Sequence, residues 1–200
     1  TRFNKKREPK HLIDLDNIPV FIWTLSTLLS LKYICEITIV TNSKYLQLTK
    51  EKLSLIKSKK FLDHITITTG GDTRMGSFFK GMEIQESICP FNEETLIGLI
   101  DANRPLVNIN LYEQLINKAL KNGSSCPTRD IVNGIAKVKN KKIVSIPNKS
   151  EFQEFYTPEF IKYGILNSPV NSSSRFKSLV EYSLNVGVNP ETIECDESIC

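Results

Sequence analysis

A Rossmann-like, three-layer α/β sandwich with a mostly parallel sheet and a protruding β-hairpin arm is the fold this sequence predicts. Two observations carry that reading. Short β-branched runs alternate with longer helical patterns through the first two thirds of the chain. The rhythm then breaks at two apolar runs that flank a basic turn. With 200 residues, 40% hydrophobic and 24% charged, the chain suits one domain, 1–200, with a substantial core.

Taken in order, Pro19 opens a helix to about Leu31, with Val20, Trp23, Thr24, Leu28 and Leu31 on one stripe. Glu36–Val40 alternates and is β-branched, which marks a strand. Tyr45–Lys57 is a helix offering Leu46, Leu53 and Ile56 to one face. His64–Thr69 and Thr95–Ile100 are short apolar runs, read as buried strands. Ser77 is placed to cap the helix that follows Gly70-Gly71. Asn110 is placed to cap Leu111–Lys121, which ends at Asn122-Gly123. Ser124–Arg129 starts another strand. Gly134–Val138 and Ile143–Ile146 flank Lys139-Asn140-Lys141-Lys142 as a hairpin, an arm of about 132–150. Such an arm either grips a partner or is a plain surface excursion. After a polar loop at Pro169–Ser174, Arg175–Leu184 reads as a helix presenting Phe176, Leu179, Val180 and Leu184. Thr192–Cys195 is a last short strand.

The net charge is +4, part of it in Lys5, Lys6, Arg7 and Lys10. No aromatic platform accompanies these cations, which argues against nucleic acid and for a loop that meets an anionic ligand. No apolar run is long enough to span a bilayer, and no signal peptide is visible. The five cysteines, Cys35, Cys89, Cys126, Cys195 and Cys200, show no Cys-x-x-Cys spacing, and only His11 and His64 could join them on a metal. A zinc site is therefore not expected. The odd, dispersed set fits reduced thiols in a cytoplasm, each serving as a small buried hydrophobe.

The chemistry concentrates in two segments, Gly70-Gly71-Asp72-Thr73-Arg74-Met75-Gly76-Ser77 and Asp101-Ala102-Asn103-Arg104-Pro105. Each follows a strand and precedes a helix, and the carboxyl ends of parallel strands are where open α/β sheets bind ligands. Glycines admit phosphate to the backbone, arginines grip its oxygens and aspartates hold a divalent cation. That equipment suits a nucleoside triphosphate. Capping by Asp72 and Ser77, and a structural turn at Arg104-Pro105, are the plainer readings.

Around these segments stand Thr1-Arg2-Phe3, Pro9-Lys10, Ile18-Pro19-Val20 and Trp23-Thr24-Leu25, then Pro127-Thr-Arg-Asp130, Asn148-Lys149-Ser150 and Thr157-Pro158. In this order the chain resembles the CTP-dependent cytidylyltransferases, specifically the methylerythritol-phosphate and ribitol-phosphate enzymes. The resemblance implies transfer of CMP from CTP to a polyol phosphate, with release of pyrophosphate and with Mg2+ as cofactor. It assigns Arg2 and Lys10 to the triphosphate as catalytic cations. Gly70, Gly71, Asp72, Arg74, Ser77 and Arg104 would bind nucleotide, and Asp101 would sit close to magnesium. Asp130, Lys149 and Thr157 would serve the acceptor, Lys149 reaching it across a homodimer formed through the arm. The implied partners are CTP and a small phosphorylated alcohol, with neither nucleic acid nor membrane.

The match departs on the acceptor side. Asp130-Ile131 lacks the hydroxyl of the usual Asp-Thr, Lys149 replaces an Arg, and Tyr156 and Glu159 flank Thr-Pro where Gln is common. Ser174-Arg175-Phe176 replaces a Thr with acidic residues, and Asn103 takes an Ala or Val position. The family's first strand and glycine-rich loop are expected before Thr1, and a further lysine after Cys200. These departures suggest ordinary CTP chemistry on an altered, surface-polysaccharide acceptor. Two rivals remain: a nucleotide-sugar glycosyltransferase, for which Asp14-Leu15-Asp16 has the metal-binding form but reads as a turn, and a non-catalytic nucleotide-binding relative.

Overall fold

The computed structural model describes residues 9–56, 62–167 and 176–196. Arg2, Lys5, Lys6, Arg7, Lys57, the Pro169–Ser174 loop, Arg175 and Cys200 lie outside the described residues. The chain enters through a 3₁₀ turn, Lys10–Leu12, and a two-rung ladder of β1 (Asp14–Leu15) and β2 (Ile18–Pro19). Asp16 and Asn17 turn between them at φ 52° and 63°. Asn and Asp tolerate this left-handed conformation best among non-glycine residues. Helix α1 (Val20–Leu29) follows, with Pro19 at its N-cap.

Strands β3 (Ile37–Thr41) and β4 (Ile65–Thr69) pair in parallel, Ile37 opposite Ile65. Helix α2 (Leu46–Leu53) lies between them in sequence. Period-two alternation sends Ile37 and Ile39 to a core made with Phe21, Leu25 and Leu53. Val40 faces the other way, toward helix α3 (Arg74–Ile88). There α3 comes so close that a Cβ on Gly81 would stand 2.7 Å from Val40 Cγ2.

The larger sheet contains β5 (Leu96–Leu99), β6 (Ser124–Asp130), β9 (Gln153–Phe155), β10 (Glu159–Lys162) and β11 (Glu191–Glu194), in the order β11-β6-β10-β5 with β9 also on β6. Strand β11 runs parallel to β6, and β10 runs antiparallel to both β5 and β6. The direction common to β5, β6 and β11 is thus interrupted by β10, and β9 also opposes β6. Consecutive residues of β10 serve opposite layers. Phe160 packs with Tyr112, Leu115 and Ala119 of helix α4 (Ile109–Asn122) and with Leu28 of α1. Ile161 packs with Met75 and Phe78 of α3, with Leu166 of the short helix α5 (Tyr163–Leu166), and with Leu179 and Tyr182 of helix α6 (Leu179–Asn185). Full burial of a side chain such as Leu115 contributes about 1.5–3 kcal/mol. The three-layer α/β expectation is met.

Several local expectations change. Asn108, not Asn110, caps α4, because its Oδ1 accepts from the Leu111 N–H at 3.0 Å. Trp23 is exposed, its indole donating to the Leu15 carbonyl at 3.2 Å, and the buried face of α1 is Phe21, Ile22, Thr24, Leu25 and Leu28. Cys126 is buried, its thiol pushed up to about 12 chiefly by burial, whereas Cys35 and Cys89 are exposed. The arm is present as β7 (Lys137–Lys139) and β8 (Lys142–Ser145), every strand residue exposed, with Asn140 and Lys141 turning at φ 50° and 62°.

Candidate active site

The glycine loop leaves the carboxyl end of β4, where the Gly70 N–H donates to the Thr41 carbonyl at 2.8 Å. Thr73 caps α3: its backbone is extended and its Oγ1 accepts from the Gly76 N–H at 2.9 Å. This corrects the expectation that Ser77 is the cap. Ser77 lies in the first turn and clasps the loop, its Oγ accepting from the Gly71 N–H at 3.1 Å and donating to the Thr73 carbonyl at 2.9 Å. The loop folds back so tightly that a Cβ on Gly70 would stand 2.5 Å from Ser77 Oγ. The glycines therefore have a reason inside the protein, before any ligand is considered. Asp72 is exposed on the same loop.

The second loop leaves the carboxyl end of β5, and Arg74 joins the two. Arg74 Nη2 donates to Asp101 Oδ1 at 3.1 Å and stands 3.6 Å from Glu159 Oε1. Arg104 Nε lies 3.6 Å from Asp101 Oδ2. The Asp101 N–H donates to Thr157 Oγ1 at 3.3 Å. A cavity of about 320 Å³ opens here between Arg74, Asp101, Arg104, Thr157, Glu159 and Lys177. Glu159 is only 2% exposed and accepts from the Val180 N–H at 3.1 Å. Burial raises its pKa, outweighing the opposing pull of the Val180 N–H and of the Arg74 guanidinium.

On the acceptor side the outcome is mixed. Asp130 Oδ1 accepts from Gln153 Nε2 at 3.1 Å across β6 and β9. Lys149 Nζ donates to the Val132 carbonyl at 3.0 Å, at the base of the arm. Thr157 is 1% exposed and sits with Asp101 rather than with those two. Lys10 is exposed on its 3₁₀ turn and lines neither this cavity nor the neighbouring one beyond Arg104. Asp14 of the Asp-x-Asp triplet is paired with Lys52 Nζ at 2.8 Å on the β1–β2 ladder, which supports the turn reading there.

Three residues of the site escaped sequence reasoning. Glu159 follows Thr157-Pro158 and, like Tyr156 before them, was legible only as a departure from Gln. Tyr156 holds the Arg104 guanidinium 5.1 Å, and that of Arg129 5.8 Å, from its ring centroid. Arg129 stands inside the segment Pro127-Thr-Arg-Asp130, and Tyr156 directly precedes Thr157. Proximity to those motifs was the available signal.

The resemblance assigns magnesium to Asp101, both of whose carboxylate oxygens already face arginines. Among the described residues no three metal-ligating side chains gather. That donor set fits a magnesium that keeps most of its waters and arrives with phosphate, not one held in a protein cage.

A curated 2-C-methyl-D-erythritol 4-phosphate cytidylyltransferase from Thermosipho africanus (strain TCF52B) is 30% identical over 130 residues, covering 65% of this chain and 54% of that protein. The match thus spans about half the length of that relative. A crystal structure of a 4-diphosphocytidyl-2C-methyl-D-erythritol synthase superposes with a TM-score of 0.80 at 15% identity, covering 96% of this chain and 88% of the other. The Francisella tularensis 2-C-methyl-D-erythritol 4-phosphate cytidylyltransferase (IspD) superposes at 0.78 with 17% identity, covering 96% and 87%. At those identities the likeness is one of fold. Among the described residues, no helix is long and apolar enough to cross a membrane. The family described as IspD, 2-C-methyl-D-erythritol 4-phosphate cytidylyltransferase, matches residues 1–181, and this chain belongs to it.

Proposed function

We propose that this protein is a cytidylyltransferase that transfers CMP from CTP to a polyol phosphate and releases pyrophosphate. The observation that carries the reading is the Arg74–Asp101 bond, which joins the glycine loop to the Asp101 loop at one rim of the fold. An oxygen of the acceptor phosphate forms a bond to the α-phosphorus of CTP, and the bond from that phosphorus to the bridging oxygen breaks. The acceptor phosphate is ionised at neutral pH, so no general base is needed. The barrier is repulsion between anions and charge on the departing pyrophosphate, which positioned cations relieve. Arg2 and Lys10 are assigned to the triphosphate, and the Ser77-clasped loop to the cytosine. Bound magnesium would draw charge from the phosphate oxygens, with Asp101 as the nearest protein carboxylate.

Family membership favours methylerythritol 4-phosphate as acceptor. The segment Asn148-Lys149-Ser150 favours a second reading, ribitol 5-phosphate. The arm, with Val138, Ile143, Val144 and Ile146 exposed, is assigned to contact with a second copy of the chain. The test is pyrophosphate release from CTP with a panel of polyol phosphates, with and without Mg2+, by wild type and Lys10→Ala. Turnover lost in Lys10→Ala with the fold intact supports the proposal. CTP binding without turnover on any acceptor would make the chain a nucleotide-binding relative, and sugar transfer without pyrophosphate would make it a glycosyltransferase.

A further inference from the structure

Glu159 is a buried carboxylate that the transfer reaction does not use, and a carboxylate so placed needs partners for both oxygens. It opens β10 opposite Leu99, the last residue of β5. Its Oε2 accepts from the Val180 N–H at 3.1 Å, and the Leu179 N–H bonds the same carboxylate. Those amides belong to the first turn of α6, where no partner exists inside the helix. The next amide, of Glu181, is taken by Ser178 Oγ at 3.0 Å. The end of α6 is thus capped by Oε2 and Ser178 together. The other oxygen, Oε1, lies 3.6 Å from Arg74 Nη2, the same nitrogen that donates to Asp101 Oδ1 at 3.1 Å. Asp101 is half-buried on a loop, whereas Glu159 is packed away and tied to a helix end. Of the two carboxylates on Arg74, Glu159 is therefore the fixed one.

We propose that Glu159 is a positioning residue for the nucleotide: anchored on the first turn of α6, it holds the exposed Arg74 guanidinium in the direction that meets CTP. The proposal rests on the cytidylyltransferase reading above, in which Arg74 binds nucleotide. An exposed arginine held by a single loop carboxylate swings with that loop. A second carboxylate on the same nitrogen fixes its direction and leaves the remaining donors of the guanidinium for an anion. This also gives a reason for glutamate where glutamine is common. The single oxygen of an amide serves either the helix end or the arginine, and the two oxygens of a carboxylate serve both. Glu159 thereby couples α6, late in the chain, to the helix that follows the glycine loop.

The test is a double-mutant cycle on wild type, Glu159→Gln, Arg74→Gln and the double variant. Pyrophosphate release is measured with CTP varied and then with acceptor varied, using whichever of methylerythritol 4-phosphate and ribitol 5-phosphate is turned over. Glu159→Gln keeps an oxygen for the Val180 N–H, so its urea midpoint at about pH 8 does not fall. Its kcat/KM for CTP falls about fivefold or more, while its acceptor KM stays within about twofold of wild type. On the Arg74→Gln background the same change costs less than about twofold, because the group through which Glu159 acts is gone. If Arg74→Gln fails to fold with Glu159 left unpaired, recovery of the fold in the double variant supports the pairing, and no recovery overturns it. An unchanged kcat/KM for CTP in Glu159→Gln, equal losses on both backgrounds, or a loss that only follows a lower urea midpoint overturns the proposal. If wild type releases no pyrophosphate with any acceptor, the functional reading fails by itself. Urea unfolding of the same set then decides whether Glu159 holds Arg74: non-additive changes support it, and additive ones overturn it.

Discussion

Replacing Thr157 by Val tests whether a single buried hydroxyl sets the position of Asp101. Thr157 Oγ1 is the acceptor for the Asp101 N–H at 3.3 Å, and the residue is 1% exposed. Valine keeps the shape and deletes the acceptor. An amide left without a partner away from water costs about 1–3 kcal/mol. The new methyl offsets part of that, so the expected loss of stability is about 1–2 kcal/mol. For a chain of this length that lowers Tm by roughly 2–8 °C. A loosened Asp101 also frees Arg74 and Arg104 to shift, and turnover should fall about tenfold, equivalent to roughly 1.4 kcal/mol in the barrier. Urea unfolding and pyrophosphate release measure the two effects. Thr157→Ser is the control: it keeps the hydroxyl, loses about 0.5–1.5 kcal/mol with the methyl, and retains turnover. The reasoning fails if Val matches wild type in both assays, or if Ser is as inactive as Val.

Three further outcomes are expected. Gly70→Ala places a methyl 2.5 Å from Ser77 Oγ and costs about 1–3 kcal/mol; the double variant with Ser77→Ala loses less than the two single losses combined, as denaturation shows in a double-mutant cycle. Glu159→Gln keeps an oxygen for the Val180 N–H and sheds a buried charge. Because its pKa is raised on folding, the stability Glu159 contributes is fully present below 4.5 and lost as pH rises through the folded value. The Gln variant is therefore more stable than wild type at about pH 8, and the gap closes as pH falls toward the ordinary value; a gap that widens on acidification refutes this. His11 has its pKa lowered by burial, so its contribution is present above 6.5 and lost as pH falls through the lowered value. His11→Gln should show a flatter urea midpoint than wild type between about pH 7.5 and 5.5.

The legible parts of the fold were those whose pattern is local. Ile37–Thr41 and Ile65–Thr69 are β-branched, and Gly123 stops its helix at φ 95°, a conformation that disfavours side chains. Caps slipped because Asn108, Asn110, Thr73 and Ser77 are all competent capping residues, and the choice among them depends on where the preceding loop arrives. Strand β10 was not legible: Glu159-Phe160-Ile161-Lys162 is four residues with a charge at each end, and it becomes a strand only between β5 and β6. At the site, Arg74 and Arg104 both face Asp101, while Gly70 and Gly71 lie on the neighbouring loop clasped by Ser77. Glu159 and the Arg104–Tyr156–Arg129 stack did not show, because they depend on contacts between segments distant in sequence.

The clasp at Ser77 has a consequence for ligand selection. A loop fastened to its own helix and to Thr41 gave up its freedom when the chain folded, so binding does not take that freedom away a second time. On the cytidylyltransferase reading proposed above, such a loop would meet its base as a finished mould. It would discriminate by refusing shapes that do not fit and not by closing around those that do, and substitutions that slacken it should broaden the range of bases accepted while weakening the hold on each.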